Sequence, residues 1–193
     1  LYLQVTGTPQ AIFLQTIASG WHPYFTYYFE PGEAYLGGDF FFSTAGKPQC
    51  VSYLDTLENP LHEAVIRHIA VSAQIFSSGG KVSNCLFHPS VRVSAHKKCA
   101  DEVKKEIEWC IDNIEEKFGA ELQKQYNRMS PVKSKKLSFE DVFNNAKNLL
   151  QDNKIKVLMM NGKSDVESSE YSEGCNFIVG GNTLGRGVTF PSL

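Results

Sequence analysis

No C-x-x-C pair, no Gly-Lys-Ser/Thr phosphate loop and no Asp-Glu magnesium motif at the end of an apolar strand occurs in this chain of 193 residues. Nor does any apolar run approach the ~20 residues of a membrane span. The five cysteines (Cys50, Cys85, Cys99, Cys110, Cys175) are odd in number and scattered. That argues against a disulfide framework and a spaced zinc site, and it suits a reducing cytoplasm. Basic residues are scarce at the start: up to residue 60 only Lys47 stands against Glu30, Glu33, Asp39, Asp55 and Glu58, and every arginine lies beyond. A net charge of -2 gives no general reason to expect nucleic acid, so an anion-binding face belongs in the later part.

What is present reads as a soluble α/β protein. "LYLQV" is strand-like and "TGTPQ" ends it with a turn. The chain opens on Leu1 inside an apolar strand, which predicts a piece of a longer protein. Residues 11–60 are aromatic and glycine-rich without helical period, an irregular connector or insertion. Leu61, Val65, Ile69 and Ala73 then mark an amphipathic helix, with His62 and His68 on or beside its stripe as ordinary surface or core histidines. "SNCLFHP" is a short strand closed by proline. Ala100, Val103, Ile107, Cys110 and Ile114 predict a helix reaching about Phe118, with Leu122, Tyr126 and Met129 either prolonging it or starting another. "SPVKSKK" reads as a solvated basic break, since no aromatics are interleaved for stacking on bases. "SFED" is a capping-box start for a helix through Leu150. "KIKVLMMNG" and "CNFIVGG" are apolar strands, joined by a polar loop. Strands at 84–88, 155–160 and 176–180, separated by helices, predict a parallel sheet with helical cover and a ligand beyond its carboxyl ends.

"IVGGNTLGRGVTF" runs off the last strand at that end. Gly180 and Gly181 leave room for backbone N–H groups to approach an anion. Asn182 and Thr183 donate or accept, and Arg186 offers a forked guanidinium suited to phosphate. A tight turn with a surface arginine explains the same residues without a ligand. Glu102-Val103-Lys104 has the Glu-x-Lys spacing of a metal-dependent nuclease, yet it falls on a charged helix face with no Pro-Asp upstream. A solvated face is the better reading.

Three stretches together resemble a known family. Thr6-Gly7-Thr8-Pro9 after a strand looks like motif III of superfamily-two helicases, "NCLFHPSVRVSAH" looks like the motif IV strand, and "FIVGGNTLGRGVTF" looks like motif V. More narrowly, Gly-Gly-Asn-x-Leu-x-Arg-Gly-x-Thr is similar to the Z-one domain family, helicase-like proteins associated with endonucleases of restriction systems. The resemblance implies that residues 1–10 are the tail of a first RecA-like lobe and 61–193 a second one, truncated at its C-terminus, with 11–60 between them. It implies an ATP and DNA cleft between the lobes, touched by Thr6, Thr8 and Pro9 from motif III. From motif V it draws Gly180, Gly181, Asn182, Arg186, Gly187 and Thr189. Helicases commonly carry an aspartate where this chain has Thr189.

The implied whole is an ATP-dependent DNA helicase or translocase subunit. ATP and magnesium would belong to the full-length protein, DNA and the first lobe would be partners, and a separate nuclease subunit is compatible. This piece alone carries no catalytic residue, no metal ligand and no Walker lysine, so it is expected neither to hydrolyse ATP nor to hold a cofactor. A second reading stays open: a non-catalytic α/β module that holds a partner protein.

Overall fold

The computed structural model describes residues 20, 24–30, 32–34, 58–129, 136–161, 166–185 and 190–191. The chain divides into two units, Leu1–Pro48 and Gln49–Leu193. Within the first, the described residues form no helix or strand, and Tyr27 meets Phe29 edge to face at 4.8 Å. The strand expected at residues 1–5 lies outside the described residues.

The second unit is an α/β fold built on a parallel three-stranded sheet. Its elements run α1 (Pro60–Ser77), β1 (Val82–Phe87), α2 (Val93–Asp112), α3 (Lys117–Arg128), α4 (Phe139–Gln151), β2 (Ile155–Met160) and β3 (Gly174–Gly180). Two 3₁₀ turns, Ser168–Tyr171 and Asn182–Gly185, flank β3. The strand order is β1-β3-β2, so the last strand is central. Cys85 and Val157 both lie opposite Phe177, and Leu86 and Leu158 both lie opposite Ile178. A central parallel strand is covered on both faces, which is why β3 reads as a nearly continuous apolar run.

The two faces have different cover. Cys175, Phe177 and Val179 of β3 point into the larger core, with Val65, Ile69 and Ala73 of α1, Val103 and Cys110 of α2, Phe118 and Leu122 of α3, and Val142 and Leu149 of α4. Helices α1 and α2 touch the strands, while α3 and α4 pack behind α1. Period 2 sends Ile178 the other way, into a smaller cluster with Met160, Tyr171 and Leu184. Among the described residues no α-helix enters that cluster. Strands β2 and β3 are parallel neighbours, yet the described part of their connection holds only the 3₁₀ turn. The described residues of that connection fit the expected loop, and helices lie between β1 and β2.

Local chemistry sets the boundaries. Asn59 caps α1 by accepting from the His62 N–H, with Pro60 at the first helical position, where a missing N–H costs nothing. Gly79, at φ +86°, lets the Gly80 N–H return to the Ile75 carbonyl and stops the helix. Ser138 caps α4 as predicted, accepting from the Asp141 N–H at 3.1 Å and donating to its carboxylate at 2.6 Å. The helix expected to reach about Phe118 ends earlier, and Leu122 and Tyr126 belong to a second helix, one of the two arrangements expected. Asn113 turns its side-chain amide onto the Trp109 carbonyl at 2.9 Å and accepts the Phe118 N–H, so α2 ends at Asp112 and α3 restarts at Lys117. Lys136, the last lysine of the basic break, is not simply solvated: it donates to the Tyr126 and Met129 carbonyls and covers the Tyr126 ring at 3.8 Å.

Candidate functional site

All three strands end on one edge, at Phe87, Met160 and Gly180. Parallel sheets bind ligands beyond this carboxyl edge, because the loops and helix N-termini there converge. Of the residues singled out in the sequence, Gly180, Gly181 and Asn182 stand on it. Thr6, Thr8, Pro9, Arg186, Gly187 and Thr189 lie outside the described residues.

The reason for each glycine is close packing. A Cβ on Gly180 would overlap the Met160 carbonyl and come within 2.9 Å of Leu184 Cγ, so the neighbouring strand and the following turn both press on that atom's place. A Cβ on Gly181 would stand 2.9 Å from Cε1 and Nε2 of His96 and 3.2 Å from the Ser90 carbonyl oxygen. Both glycines are buried, and their missing side chains are filled by this chain rather than open. Gly181 also accepts the Leu184 N–H at 3.0 Å, which closes the 3₁₀ turn and leaves Asn182 exposed.

His96 sits in the first turns of α2, is 2% exposed, and bonds through Nε2 to the Ser90 carbonyl at 2.7 Å. A carbonyl only accepts, so Nε2 carries the hydrogen. Nδ1 is buried without a partner. Ser90 in turn accepts the Arg92 N–H at 3.3 Å, which folds the β1–α2 loop into a compact corner. His88 and Arg92 are exposed there, with the apolar Val91 and Val93 beside them. Arg92 occupies the N-cap of α2, makes no side-chain cap, and no acidic residue follows in the first turn. Uncapped N–H groups, the positive end of a helix and a guanidinium all favour an anion. Among the described residues no group of three or more His, Cys, Asp or Glu could hold a metal ion. What these residues offer fits the oxygens of a phosphate.

On the smaller face a polar row crosses the sheet. Asn84, Asn176 and Lys156 share one register. Asn176 donates to Asn84 Oδ1 at 2.9 Å, Asn84 donates to the Tyr171 and Pro191 carbonyls, and Lys156 reaches the Glu170 carbonyl at 3.2 Å. Phe190 lies against Tyr171, with ring centroids 5.1 Å apart. Residues 190 and 191 therefore lie against this face of the sheet.

The strongest shifts in proton affinity lie in the larger core. Burial lowers His68 to about 4, against smaller opposing contributions from the backbone of Asn176 and Ser83, so its ring is neutral near pH 7 beside Phe177. Burial pushes Cys85 up to about 11, and Cys110 and Cys175 up to about 12. These are thiols, neither nucleophiles nor ready metal ligands. His62 is an ordinary structural histidine, with Nδ1 2.7 Å from the Glu106 carboxylate and its ring edge-on to Trp109. Glu102 is half-buried and pairs with Lys98, while Val103 is fully buried beside it.

Sequence reasoning missed His96 and the asparagine pair. Two asparagines inside otherwise apolar strands were a signal for the second, since a buried amide needs partners. No curated protein and no solved structure gives a significant match to this chain. The family model described as the Z1 domain matches residues 60–193, more than half of the chain and all of its described sheet and helices. The chain belongs to the Z1 domain family, the one its glycine motif resembles.

Proposed function

We propose that residues 61–193 are the second RecA-like lobe of an ATP-dependent DNA helicase or translocase, a subunit of a restriction-type endonuclease system. The observation that carries this reading is the seat of Gly181 on His96 and the Ser90 carbonyl. It joins the loop after β1 to the turn after β3, the two stretches that resemble helicase motifs IV and V, on the edge where parallel sheets take ligands. On this reading the motif V resemblance assigns Gly181, Asn182, Arg186, Gly187 and Thr189 to the ATP and DNA cleft, and the motif III resemblance assigns Thr6, Thr8 and Pro9 to the first lobe. Their contribution to phosphoryl transfer is charge and positioning, with ATP and magnesium held largely by the first lobe. DNA crosses the same edge.

The test uses the full-length protein. Arg186→Ala is expected to lower DNA-stimulated ATP hydrolysis at least about tenfold, because a guanidinium aimed at transferring phosphate acts mainly in the transition state. Unchanged turnover removes the role assigned to it. A second reading, a non-catalytic module holding a partner protein, is favoured by the filled Cβ positions of Gly180 and Gly181, which ordinary turn packing accounts for. Absence of Walker and Asp-Glu motifs from the full-length protein would decide for it.

A further inference from the structure

We infer that His96 is a positioning residue that couples the β1–α2 loop to the glycine turn, so that DNA contact with one sets the geometry of the other. The inference rests on the second-lobe reading and gives a role to a residue to which the motif resemblance assigns none. Three observations converge on it. His96 is 2% exposed, too deep to serve as a surface contact. Its Nε2–H holds the Ser90 carbonyl at 2.7 Å, and Ser90 accepts the Arg92 N–H, so the ring fixes the loop that carries the exposed His88 and Arg92. The same Nε2 and its neighbour Cε1 form the floor beneath Gly181, with the Ser90 oxygen completing it.

One hydrogen bond is therefore shared, in effect, by two loops. If the loop shifts with Ser90, the ring must turn or lose its acceptor. If the ring turns, Gly181 loses its support, and the turn that carries Asn182 moves with it. A side chain serving only stability would need neither the directional bond nor the glycine above it: an apolar residue would fill the space without leaving Nδ1 buried and unpartnered. Keeping a half-satisfied imidazole at this place is a cost to the fold that the joint explains.

Two polar substitutions separate coupling from packing. Gln carries its amide nitrogen near the position of imidazole Nε2, whereas Asn is too short to reach Ser90. In the full-length protein, ATP turnover is titrated with mixed-sequence DNA, both single-stranded and duplex. His96→Asn is expected to raise the half-saturating DNA concentration at least about fivefold, and His96→Gln to stay within about twofold of the parent. Partial unfolding would lower maximal turnover and leave half-saturation where it was. Gly181→Ala pushes the ring from the other side and is expected to shift half-saturation in the same direction, which keeps the test open if His96→Asn does not fold. A DNA response that Arg186→Ala abolishes but neither His96→Asn nor Gly181→Ala shifts overturns the coupling alone. A parent protein whose turnover ignores DNA overturns the second-lobe reading and the coupling with it.

Discussion

Replacing His68 with Gln should flatten part of this chain's stability profile between about pH 7 and pH 4. In the fold the ring lies edge-on to Phe177 at 4.8 Å, with Nε2 buried and unpartnered, and burial lowers its pKa from 6.5 to about 4. The unfolded chain gains a proton on His68 as pH falls through 6.5, while the folded chain holds out until about 4. Stability present above 6.5 is therefore lost on the way down, and below about 4 the loss is complete. Each tenfold difference in proton affinity corresponds to about 1.4 kcal/mol, so the full loss is about 3 kcal/mol, a large share of a typical domain's total. Urea denaturation of parent and His68→Gln at several pH values in this window isolates it, because carboxylates that titrate in the same range are common to both proteins. The parent's advantage over the variant should shrink by about 3 kcal/mol from neutral to acid. A difference that stays constant to within about 0.5 kcal/mol would mean that the folded chain protonates His68 as readily as the unfolded one, and the burial argument would fail.

Two further substitutions test the frame of the site. Gly180→Ala drives a methyl into the Met160 carbonyl of the neighbouring strand and against Leu184, and backbone in a paired strand yields poorly. A loss of about 3 kcal/mol is expected by chemical denaturation, and a loss under about 1 kcal/mol would show that β2 and β3 separate easily at that end. Ser138→Ala removes the oxygen that accepts the Asp141 N–H. It should cost about 1 kcal/mol, seen as a small drop in thermal midpoint with the helical circular dichroism otherwise retained.

Much of this fold can be read from residue order because its signals are local. The stripe Val65, Ile69, Ala73 is a helix face wherever it occurs, and Ser138 with Asp141 announces α4. The division of α2 from α3 was less legible: Cys110, Ile114, Phe118 and Leu122 keep helical spacing across the break, since α3 restarts nearly in phase. The break is marked by Asn113, whose side chain shares the Trp109 carbonyl with its own N–H, and by the turn bonds that follow it. The glycine pair was legible as an edge feature, but not its cause. Whether a missing Cβ makes room for an anion or for a histidine depends on what arrives from elsewhere in the chain, and His96 arrives from the start of α2. The order β1-β3-β2 is likewise a long-range choice, and no local pattern in the strands encodes it.

Asn84 donates its side-chain N–H to the Pro191 carbonyl at 2.6 Å, while Gly180 is paired with Met160 in the sheet. Gly180 ends β3 and Pro191 is moored to β1, neighbouring strands of one parallel ladder. A pull applied at Pro191 is therefore delivered through the Asn84 amide to β1, inside that ladder.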